Sequence, residues 1–157
     1  TMKLRTAIAL GTLALTAKVA AVDAALRRWR ATEDESPLAV LAELGGLEIA
    51  FLTGLALGAA AARMPVVLDG FISTSAALVA WALAPAAKDA FIAGHRSSEP
   101  GHRIALEALD RRPILELDLR LGEGSGAVLA STVISAAVAV LTDMASFDSA
   151  GVTDTGI

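Results

Sequence analysis

Two short apolar runs with a helical stretch between them constrain this chain more than any other feature. "MPVVLD" (Met64–Asp69) opens with a proline and closes on Asp-Gly, and "DAFIAGH" (Asp89–His95) follows it. Between them, Ser73–Leu83 reads as a helix. Runs this short and this apolar suit strands covered on both faces, and a helix joining two such strands makes them parallel. The expectation is an α/β layer with a parallel sheet. Ligands in such sheets lie beyond the carboxyl ends of the strands. Three segments turn there: "LDGFIST", "GHRSSEPGH" and "RLGEGSG".

The rest of the chain fits around that unit. Leu15–Trp29 has helical apolar spacing, with Arg27, Arg28 and Arg30 near its C-terminal end, where the helix dipole favours cations. "ATEDESP" (Ala31–Pro37) is an acidic loop. Ser36 then caps a helix with Pro37 at its first position, running to about Leu44 before Gly45-Gly46. Leu47–Ala62 is apolar almost all round and is expected to be a helix buried on several sides. Ser97–Leu109 becomes a helix after a cap-like cluster. Arg112–Gly122 has Leu115, Leu117, Leu119 and Leu121 at a period of two and reads as strand or extended chain. Gly126–Thr142 is the last long helix, and residues 150–157 form a small, polar tail expected to fray.

Composition removes several function classes. The 157 residues carry 13 Lys+Arg against 17 Asp+Glu, so the dense basic face of a nonspecific nucleic-acid binder is missing. Aromatic residues are 4% with no tyrosine, which argues against base-stacking platforms. Without cysteine there is neither a disulfide framework nor a thiolate metal site. His95 and His102 alone cannot make a typical zinc site. "MKLRTAIALGTLALTAKVAA" has the outline of a secretory signal, although Lys18 interrupts its small-residue end and Thr1 precedes the methionine. No run reaches eighteen uninterrupted apolar residues, the length that marks a membrane span, so buried helices are expected instead.

Each candidate loop carries a functional and a plain reading. Asp69, Gly70 and Ser73–Ser75 can hydrogen-bond a polar ligand, or form a turn and helix cap. "GHRSSEPGH" packs His95, Arg96, Ser97, Ser98, Glu99 and His102 into nine residues. A Ser-His-acid triad can be imagined there, though no nucleophile elbow accompanies it. The plain reading is a polar loop whose serines cap a helix. In "RLGEGSGA" (Arg120–Ala127) the glycines are spaced G-x-G-x-G, which fits neither a dinucleotide fingerprint nor a Walker loop. Partly desolvated in such a cradle, Glu123 would have the raised pKa of a general base; solvated, it would be a turn residue. Lys18 either snorkels or binds an anion.

Taken together, "PVVLDGFISTSAAL", "GHRSSEPGHRIALEAL", "LDLRLGEGSGAVLA" and "MASFDSAGV" resemble, in order, the C-terminal half of the nicotinate-nucleotide–dimethylbenzimidazole phosphoribosyltransferase family. The likeness runs from about Lys18 to Val152 and is strongest from Met64 onward. It implies a Rossmann-like parallel sheet with flanking helices, present here as a partial domain lacking the N-terminal half. It also implies a cytoplasmic homodimer that moves phosphoribosyl from nicotinate mononucleotide to 5,6-dimethylbenzimidazole, with no metal or cofactor, during synthesis of the cobalamin lower ligand. By the same resemblance Glu123 is the general base. Lys18 lies near the phosphate, and Asp69 and Gly70 lie beside the nucleotide. Ser97 and Ser98 sit near nicotinate and ribose, and Gly122, Gly124 and Ser125 cradle the base.

Two departures limit the likeness. Where the family has a glycine-rich "GTG" segment, this chain has Ala7, Ile8 and Ala9, so residues 1–17 form a divergent segment ahead of the family-like 18–149. The "EMGIGNTT"-type loop is absent. The expectation is a chain inactive alone. The alternative is a non-catalytic remnant that binds nucleotide or a partner subunit.

Overall fold

In the computed structural model the two apolar runs become β1 (Val66–Leu68) and β2 (Phe91–Ala93), paired in parallel with Val66 opposite Phe91 and Leu68 opposite Ala93. The structure describes residues 2–30 and 34–152, and among them the side chains from Thr16 onward. The six α-helices in that range are α1 (Met2–Arg30), α2 (Pro37–Val40), α3 (Leu47–Ala61), α4 (Phe71–Leu83), α5 (Pro100–Leu109) and α6 (Ser125–Asp143). A π-helical turn, Leu41–Gly45, extends α2, and a 3-10 turn, Pro85–Ala90, leads into β2. The chain is thus mostly helical around a small parallel sheet.

Local chemistry sets these boundaries. Ser36 Oγ accepts the Ala39 N–H at 3.3 Å, and Pro37 occupies the first helical position, where its missing N–H costs nothing. Pro100 does the same for α5, which ends at Asp110 in a left-handed conformation. The period-two stretch after Arg112 does not become a full strand. Backbone bonds from Ile114 N to Ala93 O (2.9 Å) and from Leu115 N to Gly94 O (3.1 Å) lay it beside β2, leaving one isolated bridge, His95 to Leu115. Pro113 offers no N–H, and Asp118 at φ 52° breaks the extended run, so Leu117 and Leu121 end up exposed.

The core is built from small side chains. Ala56 of α3, Ala77 and Ala80 of α4, and Ala87 let the helices approach closely around Leu68, Phe91 and Leu109. The deep burial expected for α3 and α6 is not found. Thr53 and Ala56 alone are buried in α3, while Leu47 and Phe51 are 91% and 71% exposed. In α6 the buried residues are Gly126 and Ala130, and Leu141 is 84% exposed. A helix apolar all round needs cover on several sides, and the described residues cover one. By length and composition alone α6 could cross a membrane. Of residues 150–157, the structure places Ala150–Val152 in a turn closed by Val152 N to Phe147 O at 2.9 Å; the rest lie outside the described residues.

Leu109 is fully buried, so Leu109→Ala is expected to lower unfolding free energy by roughly 2–5 kcal/mol. Leu141→Ala is expected to change it by less than about 0.5 kcal/mol. Urea denaturation midpoints read both.

Candidate active site at the strand ends

The carboxyl ends of β1 and β2 and the loop before α6 close on one cleft of about 580 Å³. Asp69 and Gly70 enter it from β1, His95 and Ser97 from β2, and Gly122, Glu123 and Gly124 from the loop. Glu48, Glu99 and Arg120 add charge at the rim, and Arg120 is the one fixed cation that the described residues place in the lining. A parallel pair sends both chains out at the same edge, which is why loops distant in sequence meet here.

Asp69 holds the arrangement together. Its Oδ1 accepts the backbone N–H of Ala127 at 3.0 Å, across 58 residues, and so satisfies a free amide in the first turn of α6. The buried His95 ring stands 3.5 Å from the same oxygen by Nε2. His95 also explains a glycine: a Cβ on Gly126 would fall inside its imidazole. Ring and helix therefore meet face to backbone at the foot of the Glu123 loop.

That loop is wound the wrong way for ordinary residues. Gly122 (φ 78°), Glu123 (φ 55°) and Gly124 (φ 79°) form a left-handed run, closed by Ser125 N to Gly122 O at 3.0 Å. The flanking positions suit glycine; Glu123 bears the strain, which is of order 1 kcal/mol. Of the two readings left open for Glu123, the solvated one describes this chain, because Glu123 is exposed at the cleft mouth. Ser125 lies just inside, with its Oγ buried and, like His95 Nδ1, without a hydrogen-bond partner among the described residues.

Of the residues picked from sequence, Asp69, Gly70, Ser97, Gly122, Glu123 and Gly124 share the cleft, and Ser125 adjoins it. Ser98 does not line it; its backbone N–H donates to Leu119 O at 3.2 Å and ties the loop to the extended segment. Lys18 is exposed on α1 and does not line it either. Of the segment 6–17, the side chains of 6–15 lie outside the described residues.

Sequence reasoning left the two histidines in a polar loop, yet both are buried. His102 shares the inner face of α5 with Ala105, Leu106 and Leu109. That i, i+3, i+4, i+7 stripe was the signal that could have found it. The imagined triad is half real. His102 Nδ1 lies 2.9 Å from Ser97 Oγ, but Nε2 meets the Thr74 hydroxyl at 2.9 Å instead of a carboxylate. Burial first, and then the charge of His95, lower the His102 pKa to about 4 against the opposing pull of Asp69. His102 is therefore neutral at physiological pH.

A family model described as phosphoribosyltransferase matches residues 7–152. The nicotinate-nucleotide–dimethylbenzimidazole phosphoribosyltransferase of Salinispora tropica is 57% identical over 135 residues, covering 86% of this chain and 37% of that protein. Its namesake in Chloroflexus aurantiacus is 52% identical over 140 residues, covering 89% and 40%. A crystal structure of the enzyme of that name from Thermus thermophilus superposes with a TM-score of 0.72 at 53% identity, over 75% of this chain and 36% of that one. The chain thus spans well under half the length of these relatives.

The buried neutral histidine makes folding pH-dependent. Its folded pKa, about 4, lies below the 6.5 of an exposed histidine, so the unfolded chain takes up the proton first. Stability from this group is complete above pH 6.5 and is lost as pH falls towards 4. The expected loss between pH 7 and pH 5 is on the order of 2 kcal/mol. In urea titrations His102→Asn should remove most of that difference; an unchanged difference would contradict the assignment.

Proposed function

Because the chain belongs to this phosphoribosyltransferase family, we propose that it forms the part of a nicotinate-nucleotide–dimethylbenzimidazole phosphoribosyltransferase that carries the general base. One observation supports this above the rest. Glu123 is held in a strained left-handed turn at the mouth of a cleft lined by Asp69, His95 and Ser97. Strain of this kind persists where the surroundings enforce it, and it clusters at functional sites.

In this reading one ring nitrogen of the azole attacks C1′ of nicotinate mononucleotide. The Glu123 carboxylate takes the proton from the other ring nitrogen as that bond forms. The C1′–N bond to nicotinate breaks, and its electron pair returns to the pyridinium ring, which leaves as neutral pyridine. Asp69 and Gly70 fix the nucleotide side of the cleft. The backbone of Gly122, Gly124 and Ser125 cradles the azole side of the cleft. Arg120 is placed to meet an anionic group, a task the resemblance gave to Lys18. The exposed apolar faces of α3 and α6 support a working form in which the rest of the family's fold, within a homodimer, covers them. That cover would also shield Glu123, which is exposed in this chain, from solvent.

The 157-residue chain alone is expected not to turn over nicotinate mononucleotide and 5,6-dimethylbenzimidazole. Supplied with the remainder of the Salinispora tropica relative, it is expected to be active. Glu123→Gln in that protein should lower kcat about 10²–10⁴-fold; near-normal turnover would sink the role given to Glu123. Glu123→Gly should raise folding stability by up to about 1 kcal/mol, since it relieves the left-handed strain, while removing turnover. A stabilised and still active Glu123→Gly would mark the residue as a turn and nothing more.

A further inference from the structure

Ser97 faces the cleft from the end of β2, and what it can offer a ligand is decided behind it. His102 Nδ1 lies 3.0 Å from the Ser97 backbone nitrogen and 2.9 Å from Ser97 Oγ. A backbone N–H can only donate, so Nδ1 must carry a lone pair. The ring proton is then on Nε2, which donates to Thr74 Oγ1 at 2.9 Å. The Thr74 hydroxyl passes its own proton on to the Gly70 carbonyl at 2.9 Å. This relay fixes the tautomer without ambiguity. It also fixes Ser97, because two lone pairs 2.9 Å apart repel. The Ser97 O–H therefore turns inward and shares the one Nδ1 lone pair with the Ser97 backbone N–H, and only lone pairs remain on its outward side.

We propose, on the reading of the site given above, that His102 is a positioning residue that locks Ser97 Oγ as a hydrogen-bond acceptor, so that Ser97 takes a ribose hydroxyl of the nucleotide and rejects its phosphate and the nicotinate carboxylate. An anionic oxygen brought to Ser97 would face lone pairs. It must find Arg120 or backbone amides instead. Complete burial of His102 keeps the ring out of solvent, and its lowered basicity keeps it neutral, so the lock holds across physiological pH. Because the relay runs from Ser97 to Gly70, it also registers the two strand-end loops against each other.

Two experiments test this. In ¹⁵N-histidine NMR of the 157-residue chain at pH 7, His102 is expected as the Nε2–H tautomer with Nδ1 bare. An Nδ1–H or a cationic ring overturns the proposal with no ligand present. Calorimetry then compares nicotinate mononucleotide with its 2′,3′-dideoxy analogue, in the chain supplied with the remainder of the Salinispora tropica relative. Ser97→Ala is expected to weaken the nucleotide about tenfold and the analogue less than about twofold. Equal losses for both overturn the acceptor role. His102→Gln keeps a donor towards Thr74 and loses the acceptor for Ser97, so it should behave as Ser97→Ala does. His102→Asn places an oxygen near the Nδ1 position and should restore most of the affinity; equal weakening by both substitutions reduces His102 to packing and overturns the lock. If the unmutated protein binds no nicotinate mononucleotide, the proposed function fails and this inference fails with it. The NMR result, by contrast, can fail alone.

Discussion

One hydrogen bond carries the geometry of this site: the Asp69 carboxylate on the Ala127 amide. It ties the end of β1 to the start of α6, two elements far apart in the chain. It satisfies a free N–H in the first turn of a helix, and it places a negative charge at the positive end of the helix dipole. With α6 anchored there, the loop ahead of it has a fixed end, and Glu123 projects at the cleft mouth. His95 packed on Gly126 sets how closely helix and sheet approach. Without the carboxylate the Glu123 turn would keep only its own Ser125–Gly122 bond and the His95 packing to hold its strained backbone.

Behind that anchor runs a second layer that is polar, buried and almost fully paired. Ser97, His102, Thr74 and Gly70 form one relay, with each donor matched to an acceptor. Buried polar groups are tolerated when they are satisfied and costly when they are not. The relay therefore favours one arrangement of the two loops over near alternatives. Outside the relay, the buried His95 Nδ1 and Ser125 Oγ have no hydrogen-bond partner among the described residues.

The helices tell a different part of the story. α4 and α5 bury their stripes against the sheet and the alanine-rich core. α3 and α6 leave large apolar side chains in solvent, on faces that composition alone marked for burial. These exposed faces agree with the chain's span of well under half of each relative: the strand-end cleft is formed, but the apolar surface exceeds what the described residues cover.

Much of this was legible in the sequence. Periodicity located the helices, and short apolar runs bounded by turn residues located the two strands. Proline and Asp-Gly punctuated β1, and the glycines around Glu123 marked a loop with a permissive backbone. The ordered motifs carried the resemblance that picked out Asp69, Ser97 and Glu123. What the sequence could not give was partnership. Nothing in the spacing says that Asp69 caps a helix 58 residues away, that Gly126 is small because His95 lies on it, or that His102 turns from a loop residue into the keeper of Ser97. Periodicity records which face of an element avoids water. Which groups meet across that face depends on how the elements cross, and only the tertiary structure decides that.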